Sequence, residues 1–170
     1  LMAKDGRIGD IVSIDSTCTS LSDRDGGGFD NKWVWNSSCA WGPTALLPIL
    51  QLLGCSPNAV KKTSFFAERK KKFDTFSKFD FIYPRTVATA KVGKGVKSEG
   101  ELVISGTKGY IYVPAPWWKT DYFEIRYEDQ TENKRYFYQL DGGKTDEEGT
   151  YDKLLVPVIR EITKGAHTSI

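Results

Sequence analysis

The chain has 170 residues, 39% of them apolar and 27% charged, with a formal net charge of +2. That length and balance fit one globular domain with a real core. They exclude a strongly basic nucleic-acid binder, and no run reaches the ~18 apolar residues of a membrane span.

Three cysteines, Cys18, Cys39 and Cys55, match no metal or redox spacing, and the only histidine is His167. An odd cysteine count without a framework fits a reducing, cytoplasmic setting. A lone terminal histidine argues against a His-based metal site or a Ser–His triad, so no metal is expected.

The opening "LMAKDGRIGD" lacks an apolar core followed by a cleavage-like site, which argues against a signal peptide. It reads instead as the last turn of a helix closed by Gly6 or Gly9. "DIVSIDSTCTSL" then reads as a strand, with Val12, Ile14 and Cys18 alternating against Ser13, Asp15 and Thr17. "SDRDGGGFDNKW" is a loop by its glycines and aspartates.

"WGPTALLPILQLLG", Trp41 to Gly54, is the most continuously apolar stretch and reads as a helix ended by Gly54 and Pro57. Pro48 constrains its start. With Gly42 as cap, Pro48 would lie in the helix interior at a cost of about 3 kcal/mol. With Thr44 as N-cap it falls in the first turn, where N–H groups lack intrahelical partners anyway. The expectation is therefore a start at Thr44 or slightly later. "WNSSCAWGP" then becomes a polar-aromatic loop aimed at a helix N-terminus, either a ligand site or a buried loop over a sheet.

From Asn58 onward the signal has period 2. "AVKKTSFFAER" is a strand, and "KKKFD" a solvated charged link. "TFSKFDFIYP" places Phe79, Phe81 and Tyr83 on one side, and "TVATAKVGKG" and "GELVISG" follow. "GTKG" reads as a tight turn whose two glycines can take positive φ. "YIYVPAPWW" sets Tyr110 and Tyr112 opposite Ile111 and Val113, and "DYFEIRYE" and "KRYFYQL" form a hairpin across "DQTEN". "TYDKLLVPVIREITKG" has helical spacing, with Asp146, Glu147 and Glu148 as favourable charges before its N-terminus. The fold class expected is α+β: a large, mostly antiparallel sheet with helices on one face, its other face open or in an oligomer interface.

"GKGVKSEG" is followed by a strand rather than a helix, so it reads as a bulged connection and not a phosphate loop. Trp117 and Trp118 read either as plugs of the sheet edge, as a sugar-stacking or pocket-lining pair, or as an oligomer contact. No pair of carboxylates stands out for acid–base work.

"ELVISGTKGYIYVPAPWWKTDYFEI" resembles the C-terminal domain of the glucose–fructose oxidoreductase, inositol dehydrogenase and MocA family (Gfo/Idh/MocA). "GRIGDIVSIDS" resembles that family's domain junction, and "RDGGGFDNKWVWNSSCAWGPTALLPILQLLG" its following loop and helix. The resemblance spans essentially all 170 residues. It implies residues 1–170 are one substrate-side and oligomerisation domain of an NAD(P)-dependent oxidoreductase acting on a sugar, polyol, sugar nucleotide or similar hydroxyl compound. It further implies a homo-oligomer through the open sheet and a Rossmann partner domain holding NAD or NADP. No cofactor site is expected in this chain, which has no strand–GxGxxG–helix unit. An opening in mid-helix agrees with the absence of about 120 or more preceding residues.

In that family a helix beginning "GGG" carries an Asp and, four residues on, a His that reach the substrate. Aligned on "ALL", Pro48 and Leu52 take those places, and neither transfers a proton. No catalytic residue is therefore expected in this chain. The pocket candidates are Trp33, Trp35, Ser37, Ser38, Cys39, Trp41 and Gln51, with Trp117, Trp118 and Lys119 nearer the sheet edge. The alternative is a non-catalytic binding or assembly module that holds a carbohydrate by aromatic stacking.

Overall fold

The computed structural model describes residues 6–21, 36–66 and 74–137. Eight strands are described: β1 (Ile11–Ser20), β2 (Ala59–Phe66), β3 (Asp74–Ile82), β4 (Val87–Lys94), β5 (Leu102–Gly106), β6 (Tyr110–Val113), β7 (Tyr122–Arg126) and β8 (Lys134–Phe137). One helix is described, α1 (Ser37–Leu53). Strand order is β2-β3-β4-β1-β5-β6-β7-β8, and the pairs β2/β3, β3/β4, β5/β6, β6/β7 and β7/β8 are antiparallel. This is the expected mostly antiparallel sheet with a helix on one face. The helix expected from "TYDKLLVPVIREITKG" lies outside the described residues.

The chain divides into two compact units, Asp15–Gly100 and Leu1–Ile14 with Glu101–Ile170, and β1 contributes to both. In the Asp15–Gly100 unit, α1 packs on β3 and β4. Its buried residues are Ser37, Gly42, Ala45, Pro48, Ile49 and Leu52; from Gly42 onward they step by three through 45, 48 and 49 to 52, along one helical face. Beneath them Ala88, Ala90 and Val92 alternate along β4, and Phe81 joins them from β3. Alanines opposite a helix let its backbone approach closely. Burying Ile49 or Leu52 there contributes about 1.5–3 kcal/mol each.

The start of α1 corrects the expectation. The N-cap is Asn36, not Thr44, and both Pro43 and Pro48 lie inside the helix. Each proline forfeits one backbone bond. Attachments at both ends outweigh that loss. Asn36 Oδ1 accepts from Cys39 N at 2.8 Å, and the first turn is tied to β3 as described below. At the other end Gly54 takes φ 84°, its N–H donates to Leu50 O at 2.9 Å, and its carbonyl accepts from Tyr83 Oη at 2.7 Å. Pro48 is buried, so its ring adds to the core. A different position offers a gain: Gly42 is helical, and a Cβ there meets nothing within 4 Å. Gly42→Ala is expected to stabilise by about 0.5–1 kcal/mol in urea denaturation.

In the other unit, Ile104, Ile111 and Ile125 line up across β5, β6 and β7, beside Leu102, Val113 and Phe123. The expected alternation in "YIYV" holds: Ile111 and Val113 are buried, while Tyr110 and Tyr112 are partly exposed. The "DQTEN" hairpin also holds, with a 3-10 turn at Gln130–Glu132 joining β7 to β8. On the Tyr-bearing face, Glu124 receives Arg126 and Arg135, each at 2.6 Å. Arg126 lies over the Tyr112 ring at 4.2 Å and Arg135 over Tyr122 at 4.8 Å.

The "GTKG" turn is corrected in its cause. Neither Gly106 nor Gly109 takes positive φ; Gly6 and Gly9 do. Gly106 and Gly109 are required by proximity instead. A Cβ on Gly106 would overlap the Ile8 carbonyl, and one on Gly109 would stand 2.7 Å from Arg126 O. The turn docks on "GRIGD": Lys108 N donates to Ile8 O at 2.9 Å, Thr107 N to Asp10 O at 3.0 Å, and Asp10 N to Thr107 Oγ1 at 3.1 Å. Two further expectations fail. Val12 is 46% exposed, so it does not share the core with Ile14 and Cys18. Asp74, placed in a solvated link, is buried and opens β3.

Candidate functional site

The first turn of α1 is where sequence reasoning placed a pocket. The structure places there a closed polar knot. Asp74 Oδ2 accepts from Ser37 Oγ in a short bond, from Ser38 Oγ at 2.8 Å, from Ser38 N at 3.2 Å and from Ser77 Oγ at 2.6 Å. Ser77 Oγ, its own proton given to Asp74, accepts in turn from Ser64 Oγ on β2 at 2.7 Å. Ser37, Asp74 and Ser77 are all buried.

A carboxylate belongs at this position physically. The first N–H groups of a helix lack partners, and the helix carries about half a positive charge at that end. Asp74 satisfies Ser38 N directly and sets its charge against the dipole. Burial pushes its pKa up, but the hydroxyls of Ser37, Ser77 and Ser38 and the charge of Lys62 pull it further down, so the carboxyl sits below its usual range. A carboxylate so well solvated by hydroxyls is a weak base. The cluster is an anchor between α1, β2 and β3, not an acid–base pair.

The remaining candidates separate. Trp41 is tied down, its Nε1 donating to Ser20 Oγ at 3.1 Å. Cys39 and Gln51 are exposed on α1. No disulfide joins Cys18, Cys39 or Cys55. Pro48 and Leu52 face the sheet from the buried side of the helix. In the second unit Trp117 and Trp118 meet edge to face, centroids 6.3 Å apart, and are 0% and 5% exposed; Lys119 is exposed. A stacking platform needs an open ring face, and neither indole presents one. Trp33 and Trp35 lie outside the described residues. The structure thus brings Ser37, Ser38 and Trp41 into one neighbourhood and adds Asp74 and Ser77, which sequence reasoning missed. The one available signal was an aspartate at the start of a strand whose third following residue is serine.

Could this chain hold a nicotinamide dinucleotide? Such a ligand sets its pyrophosphate on a free helix N-terminus. The helix N-terminus described here is already filled by the Asp74 carboxylate, which would repel a phosphate. "GKGVKSEG" does not offer another. It follows β4 as a connection whose Gly95 N donates to Ser20 O at 2.8 Å and whose Ser98 N donates to Thr19 Oγ1 at 3.0 Å. The described residues do not fit the cofactor. Among them no group of three or more His, Cys, Asp or Glu is placed to hold a metal ion, and no helix is long and apolar enough to cross a membrane.

The architecture defines a class: a mostly antiparallel sheet carrying a helix whose N-terminus is closed by the chain's own carboxylate. Its fold matches the C-terminal domain of Gfo/Idh/MocA-type oxidoreductases. An oxidoreductase from Agrobacterium radiobacter, solved with NAD+, L-tartaric acid and magnesium, superposes with TM-score 0.66 at 14% identity over 96% of this chain and 48% of its own. A 3-ketoreductase from Actinomadura kijaniata, solved with TDP-benzene and NADP, gives TM-score 0.61 at 12% identity over 97% and 47%. A levoglucosan dehydrogenase in complex with NADH and L-sorbose gives 0.66 at 11% identity over 95% and 51%. The chain therefore spans about half the length of these proteins. No family model and no curated protein matches the sequence.

Proposed function

We propose that this chain is the substrate-side and oligomerisation domain of an NAD(P)-dependent oxidoreductase whose cofactor-binding domain lies outside these 170 residues. The observation that carries this reading is the coverage asymmetry: nearly all of this chain superposes on about half of enzymes solved with NAD+, NADP or NADH. Sugars, polyols, sugar nucleotides or similar hydroxyl compounds are the substrate class; one of those structures holds the sugar L-sorbose, another the hydroxy acid L-tartaric acid. The dinucleotide would be held by a Rossmann partner and would supply or accept hydride. This chain's residues would wall the substrate pocket and exclude water from it.

The same domain would assemble through the sheet face turned away from α1. There Ile82 and Val87 pair and are 48% and 53% exposed, flanking a polar stripe in which Asp80 accepts from Lys78 at 2.8 Å and Thr89 at 3.0 Å. The exposed apolar pair would supply the centre of a subunit contact and the polar groups beside it the rim.

The reading is tested on the chain by itself. Titration of NADH or NADPH into it in a calorimeter is expected to give no saturable heat. Tight binding there would overturn the division of labour.

A further inference from the structure

β2 ends the strand order, so among the described residues one of its edges has no partner strand. Its eight residues contain no proline or glycine, and all but Ser64 are exposed. Val60, Phe65 and Phe66 are 54%, 62% and 41% exposed to solvent. An edge that runs in unbroken register from Ala59 to Phe65, shifting only between Phe65 and Phe66, is a template for another strand. We propose that it pairs antiparallel with β2 of a second copy, about a two-fold axis through Thr63. This contact is separate from the sheet-face assembly proposed above and does not depend on it.

The register follows from symmetry and charge. A two-fold axis normal to the sheet places a residue opposite its own copy and keeps each face continuous. Centred on Lys61 or Lys62, the pairing would set lysine directly against lysine, which is destabilising. Centred on Ser64, it would shorten the overlap and carry the pairing past the end of β2 at Phe66. Centred on Thr63, it sets Thr63 against Thr63, Lys62 against Ser64 and Lys61 against Phe65. No like charges then face each other. The Lys61–Phe65 pair would repeat across the axis what Lys62 already makes within the chain, where its Nζ lies 5.2 Å from the Phe79 ring centroid. The sequence "VKKTSFF" is thus self-complementary about its threonine. That complementarity favours a second copy over a foreign peptide.

Cysteine cross-linking in the full-length protein, carrying Cys39→Ser and Cys55→Ser, tests this. Opposed residues in such a pair have Cα atoms about 4.5–5.5 Å apart, within disulfide reach. Thr63→Cys is expected to convert to a covalent dimer under mild oxidation. Lys61→Cys is expected to stay monomeric on the same gel, its two copies standing about 13 Å apart along the strand. The double variant Lys62→Cys/Ser64→Cys also cross-links, and it does so on the helix-bearing face, which sheet-face assembly cannot bring together. Thr63→Cys that remains monomeric overturns the proposal, whether the edge is bare or holds a foreign strand. Cross-linking of Thr63→Cys without the double variant overturns it equally, and assigns the contact to the open face.

Discussion

Asp74→Ala is expected to destabilise the chain by about 3 kcal/mol or more, the largest single loss available outside the apolar core. Deleting the carboxylate leaves the hydroxyls of Ser37, Ser38 and Ser77 and the N–H of Ser38 without their acceptor. A lost hydrogen bond to a charged group costs about 1.5–3 kcal/mol, and each buried donor left unpaired adds to that. Asp74→Asn can set its one oxygen where Oδ2 sits, but it removes the negative charge that the four donors share, so it is expected to lose about 2 kcal/mol. Urea denaturation measures both.

The pH dependence has a defined sign. The folded carboxyl titrates below the ordinary aspartate range. Its contribution is therefore fully present above the unfolded pKa and is lost as pH falls through the folded one. The gap in stability between the native sequence and Asp74→Ala should be constant near neutrality and narrow below about pH 4. A gap unchanged down to pH 2, roughly two units below the unfolded value, would mean that the carboxylate charge does not matter.

Gly106→Ala is the second large effect, expected at about 3 kcal/mol and a fall in Tm of roughly 6–12 °C. The added methyl collides with backbone, since the Ile8 carbonyl carbon stands 2.9 Å from the Cβ position. Backbone cannot rotate aside as a side chain does. Relief requires pulling "GRIGD" from the turn, which breaks the bonds from Thr107 N and Lys108 N at 3.0 and 2.9 Å and uncovers Ile8, now 0% exposed. Gly42→Ala, with open space and helical backbone, is the matched control with the opposite sign. Equal behaviour of the two in thermal unfolding would contradict the close-approach account.

Which parts of this structure were legible in the sequence follows from the range of the forces. Strands β3 to β7 announce themselves locally, because a sheet with one buried face needs alternation that a reader can count. Gly54 closes α1 by its own conformation. The start of α1 was not legible: its two internal prolines argue for a later start, and the argument against them comes from Asp74, 36 or 37 positions away from the serines it binds. "KKKFD" looked solvated because its lysines dominate its composition, while its last residue carries the buried charge. The "GTKG" glycines illustrate a different gap. Glycine at a turn suggests positive φ, but here absence of a side chain matters because another backbone segment, distant in sequence, passes close by. The pocket candidates were chosen for nearness in sequence to a family's active helix. Two of them, Ser37 and Ser38, are consumed in holding that helix down.

The account rests on a division between this chain and a cofactor-binding partner domain. Fluorescence titration of NADH and NADPH into the full-length protein, beside the 170-residue chain, tests it most directly. The account predicts saturable binding to the full-length protein and none to the chain. Failure of the full-length protein to bind either dinucleotide would contradict it.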